Sequence, residues 1–133
     1  MPAAATRGPE IAFDGVGKVY GDVVAVDAVS LTIAAGSFVA LVGMSGSGKS
    51  TLLKMINHLI PPDMGSVLMD GEPVAAVPPH RLRRRIGYVF QTIGLFPHMN
   101  VAENIGIGIR IERGTPPASE RIAELLALVG LPA

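Results

Sequence analysis

Patterned sequence begins at Ile11. Ile11 and Phe13, and further on Val29, Leu31 and Ile33, alternate with other residues, and Tyr20-Gly21-Asp22 interrupts the stretch between them. Alternation with period two places one set of side chains on a single face of a pleated strand, so Ile11 to Ile33 reads as short β-segments joined at a turn. A second turn at Ala35-Gly36 leads into Ser37 to Val42 (SFVALV), an almost wholly apolar run of the kind expected for a strand buried on both faces. Ile86 to Phe90 (IGYVF) reads the same way. Between these runs, Ser50 to Leu59 (STLLKMINHL) places apolar residues at Leu52, Leu53, Met55, Ile56 and Leu59, the spacing of a helix that Pro61-Pro62 would stop.

Val67 to Met69 followed by Asp70-Gly71 predicts a strand entering a tight turn, and Pro79 to Arg85 a short basic helix. Val101 to Ile111 is ambiguous, because Gly106 and Gly108 weaken a helical assignment. Ser119 to Val129 (SERIAELLALV) has a clear amphipathic helical pattern, with Ser119 in place for an N-cap. Met1 to Pro9, rich in Ala and Pro, reads as a flexible tail, leaving residues 10–133 as the folded part.

Composition narrows the class only a little. A chain of 133 residues, 49% of them hydrophobic, has the size and the material for a packed core. Eleven basic residues balance eleven acidic ones, which removes any charge argument for nucleic acid or an anionic membrane. The absence of cysteine excludes disulfides and thiolate metal sites and is compatible with a reducing compartment. No apolar run approaches the roughly 20 residues a bilayer requires, so membrane association is expected to go through a partner.

Gly43-Met44-Ser45-Gly46-Ser47-Gly48-Lys49-Ser50 fits G-x-x-x-x-G-K-[ST] at every fixed position, between an apolar run and a helical pattern. Triphosphate oxygens need several converging backbone N–H donors, and glycines permit the close approach and the unusual dihedrals that this demands. A helix start behind the loop adds free N–H groups and a favourable dipole. Lys49 supplies a point charge for the β- and γ-phosphates, and the Ser50 hydroxyl supplies a hard oxygen for Mg²⁺.

Other motifs surround the loop in a definite order. Val19-Tyr20-Gly21, Val29-Ser30-Leu31, the loop written GMSGSGKST, and IGYVFQ ending at Gln91 come first. Leu95-Phe96-Pro97 and Val101-Ala102-Glu103-Asn104 follow. Together they resemble the ATP-binding subunits of ABC transporters, over nearly all of the chain from Ile11 onward. The resemblance implies an α/β fold, with a P-loop NTPase-like ABC ATPase core and an N-terminal antiparallel β-subdomain. It implies MgATP held by Gly43, Ser45, Gly46, Ser47, Gly48, Lys49, Ser50 and Thr51, with Tyr20 stacking on adenine. Read alone, Tyr20 is more often a turn aromatic packed on the sheet. Gln91 matches the family's Q-loop glutamine, which touches Mg²⁺ and the attacking water, so Ser50 and Gln91 are the implied metal contacts.

The implied partners are a transmembrane permease subunit, met through Thr92 to His98, and a second ATP-binding subunit in a head-to-tail dimer. The implied location is cytoplasmic, peripheral on the inner face of the cell membrane. KMINHLIP at Lys54 to Pro61 and QTIGLFPHMNVAENI at Gln91 to Ile105 resemble, more narrowly, importers of osmoprotectants such as glycine betaine, carnitine and choline. His58 and Pro61-Pro62-Asp63-Met64 depart from that group's wording.

Several residues invite other readings. Arg81, Arg83, Arg84 and Arg85 lack the interleaved aromatics of a nucleic-acid surface and read as a solvated helix face, so no nucleic-acid partner is expected. His58, His80 and His98 have no metal-ligand spacing. After Val129 no signature loop, Asp-Glu strand end or switch histidine follows, so residues 10–133 read as an incomplete nucleotide-binding domain, truncated before the signature and Walker B motifs. Hydrolysis by this chain alone is not expected, since a positioned general base contributes roughly 10² to 10⁴ in rate. In the family the SFVALV and IGYVF strands are not neighbours, and the strands between them come from later sequence, so both are expected to have unpaired edges. Two other readings stay open: a non-catalytic module that binds nucleotide or docks on a membrane subunit, and a non-functional remnant.

Overall fold

The structure is a computed structural model and describes residues 8–133, so most of the expected N-terminal tail lies outside the described residues. Two compact units divide the chain, one running to Ile86 and the other from Gly87 to Ala133.

The first unit is built on a four-stranded antiparallel sheet in the order β2-β1-β3-β4. β1 is Ile11–Tyr20, β2 Val23–Ile33, β3 Met64–Met69 and β4 Glu72–Pro73. The β1–β2 hairpin closes through Gly21-Asp22, with Tyr20 opposite Val23, and Asp70-Gly71 closes β3–β4, so both expected turns form. Between β2 and β3 lies helix α1, Lys49–Ile56, and after β4 come a single 3-10 turn, Val74–Ala76, and helix α2, Pro79–Arg84.

One face of this sheet holds the core. Ile11 and Phe13 point inward as their spacing predicts, but the next inward residue of β1 is Val16, not residue 15. The pairing register shifts between Phe13 and Val16 against β2, and such an irregularity inserts a residue and reverses the alternation. Val26, Val67 and Met69 join from the flanking strands, and Leu52 and Met55 close the core from α1, with Val74 and Leu82 beside them. Val29 and Ile33 pack against this cluster, whereas Leu31 stays exposed.

α1 stops at Ile56, short of the predicted Leu59. The carbonyls of the two residues after its end are taken by α2: Arg83 donates from Nε to Asn57 O at 3.1 Å and from a terminal nitrogen to His58 O at 2.9 Å. Arg83 is therefore a helix cap as well as part of the basic cluster, which corrects the reading of that cluster as a merely solvated face.

Two predicted strands do not form. Ser37 to Val42 and Ile86 to Phe90 make no ladder among the described residues, and Phe38 (96% exposed), Val42 (93%) and Val89 (94%) face solvent. A strand exists only as one side of a hydrogen-bonded ladder. An apolar run with no partner stays irregular, as the expectation of unpaired edges anticipates.

The second unit contains α3, Val101–Arg113, and α4, Ser119–Leu128. The ambiguous stretch is thus helical, despite Gly106 and Gly108. Asn100 starts it with a reciprocal capping box: its side-chain oxygen accepts from Glu103 N at 2.9 Å, and the Glu103 carboxylate accepts from Asn100 N at 2.8 Å. Two satisfied donors at the start offset the glycine penalty inside. Gly106 is also buried where a Cβ would press on Pro117, so its smallness lets the loop between the helices approach. In α4 the N-cap is Ala118 rather than the predicted Ser119, whose hydroxyl instead donates to Glu120 at 3.3 Å.

Candidate nucleotide site

The glycine-rich segment connects the irregular 37–42 run to α1. A turn forms within it, Ser47 N donating to Met44 O at 3.1 Å, and the helix begins directly after Gly48. Gly46 and Gly48 carry φ of 81° and 89°, in the region L-residues disfavour. Gly48 is constrained twice over, because a Cβ there would meet the backbone carbonyl oxygen of Ala25 in β2. The loop therefore lies against the sheet at a distance only glycine allows.

Lys49 folds back over the loop. Its Nζ donates to Gly43 O at 2.7 Å, Met44 O at 2.6 Å and Ser47 Oγ at 3.0 Å, which uses all three ammonium donors. The arrangement fixes the loop's curvature and sets a positive charge inside it. Gly43 is closely packed as well: a Cβ there would sit 2.7 Å from Ser47 Oγ and would turn that hydroxyl away from Lys49. Behind the loop, Leu52 N bonds Gly48 O at 2.9 Å, and the first helical N–H groups, at Lys49, Ser50 and Thr51, precede the first intrahelical bond. Free helix-start donors, a lysine and left-handed glycines in one turn make a concavity suited to an anion.

A cavity of about 260 Å³ opens between the loop and β2, lined by Val26, Asp27, Ser47, Gly48 and Lys49 among others. Ser50 and Lys49 also line a mostly apolar cavity of about 280 Å³ with Phe13, Ile33, Leu41 and Leu53. The structure thus brings Gly43, Ser45, Gly46, Ser47, Gly48, Lys49, Ser50 and Thr51 together as one turn leading into a helix. Tyr20 lies in the same unit, at the last position of β1 and 46% exposed, and lines neither cavity. Gln91 belongs to the second unit and is exposed, as is Thr92 to His98.

For a divalent cation, the donor set is lean. Among the described residues no group of three or more His, Asp or Glu side chains is placed to hold a metal. The Ser50 hydroxyl is a fitting oxygen ligand for Mg²⁺, which commonly keeps its waters and takes the rest of its shell from phosphates.

Two residues near these segments have a role that the sequence reading does not give them. Asp63, noted only as a departure in wording, ties β1 to the start of β3: its carboxylate accepts from Lys18 Nζ at 2.8 Å and from Val19 N at 2.8 Å, while its own N–H donates to Gly17 O at 2.8 Å. The bond from Lys18, and after it the Val19 N–H, holds this carboxyl below the usual aspartate range. Asn104 organises the segment before α3. Its Oδ1 accepts from Phe96 N at 2.8 Å, and its Nδ2 faces Phe96 O at 3.2 Å, Met99 O at 3.0 Å and Asn100 O at 2.9 Å. A polar residue just inside a capping box was the available signal for Asn104. Asp63 had none, because its partners are about 45 residues away in sequence.

A glycine loop seated on a sheet and closed by a lysine at a helix start defines the α/β proteins with a P-loop fold. The sequence profile described as ABC transporter matches residues 26–133, and the chain belongs to that family as an ATP-binding domain. The chain is 46% identical over 122 residues to the glycine betaine uptake system ATP-binding protein YehX of Escherichia coli, covering 91% of this chain and 40% of that protein. It is 47% identical over 121 residues to the Fe(3+) ions import ATP-binding protein FbpC of Mesorhizobium japonicum, with coverage of 88% and 32%. It therefore spans less than half the length of these relatives. Among solved structures, a bacterial Atm1-family ABC exporter with ATP bound matches 96% of this chain and 21% of its own, at TM-score 0.71 and 34% identity. No helix among the described residues is long and apolar enough to cross a membrane.

Proposed function

We propose that this chain is the N-terminal part of the ATP-binding subunit of an importer and holds MgATP through Gly43 to Thr51. The observation that carries the reading is the Lys49 ammonium closed over the loop, with Gly48 wedged against Ala25 O. In that reading the loop N–H groups bind and orient the β- and γ-phosphates, Lys49 exchanges contacts to Gly43 O, Met44 O or Ser47 Oγ for phosphate oxygens, Ser50 offers a hydroxyl to Mg²⁺, and Tyr20 covers the adenine. The metal, when bound, neutralises charge between the phosphates. Gln91 reports the state of the γ-phosphate to Thr92–His98, the surface that meets a membrane-embedded permease on the cytoplasmic side. A second ATP-binding subunit completes the assembly.

We assign the solute to the glycine betaine and choline class, supported by KMINHLIP and QTIGLFPHMNVAENI and by the relative named for glycine betaine uptake. The iron-importing relative is as similar, so the solute is the part to test first. Uptake of labelled glycine betaine and choline, with ferric iron as comparison, should fall on disruption of the gene and return with the wild-type copy but not with Lys49→Ala. Restored iron uptake with unchanged betaine and choline uptake would overturn the solute class.

A further inference from the structure

The end of β1 carries a second arrangement besides the loop. Lys18 is only 15% exposed, far less than a free surface lysine, because Asp63 holds its Nζ at 2.8 Å. From there the ammonium lies 5.5 Å from the centroid of the Tyr20 ring, within cation–π range. Asp63 is itself fixed by two backbone contacts, to Val19 N and Gly17 O. One side of the ring thus has a bound cation near it, while Tyr20 as a whole remains 46% exposed.

We propose that Lys18, clamped by Asp63, is a positioning residue for Tyr20, holding the phenol ring so that its open face is presented to the base of a purine nucleotide. This rests on reading Tyr20 as the base platform. An exposed aromatic at a hairpin end otherwise samples several rotamers, and a ligand must then order it on binding. A ring held in advance removes that penalty, and the ammonium acts through the ring without touching the ligand. The role is confined to the base, since the phosphates are held by Gly43 to Thr51.

The test compares MgATP with magnesium tripolyphosphate, which carries the phosphates and no base, by titration calorimetry on the protein as its gene encodes it. Tyr20→Ala and Lys18→Met should each weaken MgATP, the latter about 2- to 5-fold, while tripolyphosphate binding stays unchanged. Lys18→Arg should restore MgATP affinity, and Lys18→Met should add nothing on the Tyr20→Ala background. If Tyr20→Ala leaves MgATP affinity unchanged, Tyr20 is no base platform and the proposal falls with it. If Tyr20→Ala weakens MgATP but Lys18→Met does not, or weakens both ligands equally, the platform stands and the positioning role is overturned. Should Lys18→Met not fold, Asp63→Asn releases the same lysine and is read by the same two-ligand comparison.

Discussion

Replacing Gly48 by alanine isolates the close approach between the phosphate loop and β2. Two effects add. The backbone at φ 89° is unfavourable for any L-residue, worth about 1–2 kcal/mol. The new Cβ also meets the Ala25 carbonyl oxygen, a backbone atom at the irregularity of β2 between the paired residues Val24 and Val26, so either the loop or the strand must shift. Overpacking of this kind costs about 1–3 kcal/mol. Gly46→Ala is the matched control: its φ is 81°, but an added Cβ meets nothing within 4 Å, so only the conformational penalty applies. Urea unfolding followed by circular dichroism should therefore show a loss of about 2–5 kcal/mol for Gly48→Ala and about 1–2 kcal/mol for Gly46→Ala. Equal losses in the two variants would refute the claim that the loop is seated against Ala25.

Other contacts make predictions of their own. Arg83→Ala leaves the carbonyls of Asn57 and His58 without their donor and should destabilise by about 1 kcal/mol in the same assay, while Arg84→Ala changes little. Asn104→Ala releases Phe96 to Asn100, so limited proteolysis should cut that segment faster than in wild type with α3 still intact. Because the Asp63 carboxyl titrates lower when folded than when unfolded, its contribution is complete above the unfolded value, near pH 4, and is lost as pH falls through the folded one. Asp63→Asn should flatten acid unfolding in that window, seen in thermal midpoints measured from pH 5 down to pH 2.

The parts of this fold that were legible in the sequence are those fixed by local chemistry. β1, β2 and β3 follow from alternation with turn residues at Gly21-Asp22 and Asp70-Gly71, α1 and α4 follow from helical spacing, and the loop from its wording alone. What stayed hidden depends on partners distant in sequence. SFVALV and IGYVF have strand composition but no ladder among the described residues, and composition cannot report whether a neighbour exists. The α3 assignment was held back by Gly106 and Gly108, although the Asn100–Glu103 box was available to outweigh them. Neither the Asp63 clamp nor the Arg83 cap has a local signature, since each joins segments roughly 25 to 45 residues apart. At the site, the loop's residues were legible as a set, but Lys49's three contacts and the wedge at Ala25 arise only when the chain folds the loop against β2.

The most direct test of the nucleotide reading is MgATP binding to wild type and Lys49→Ala, measured by titration calorimetry. A charge-assisted contact of about 1.5–3 kcal/mol predicts that the substitution weakens binding by about 10- to 150-fold. Unchanged affinity in a folded variant would contradict the assignment of Gly43 to Thr51 as the phosphate site.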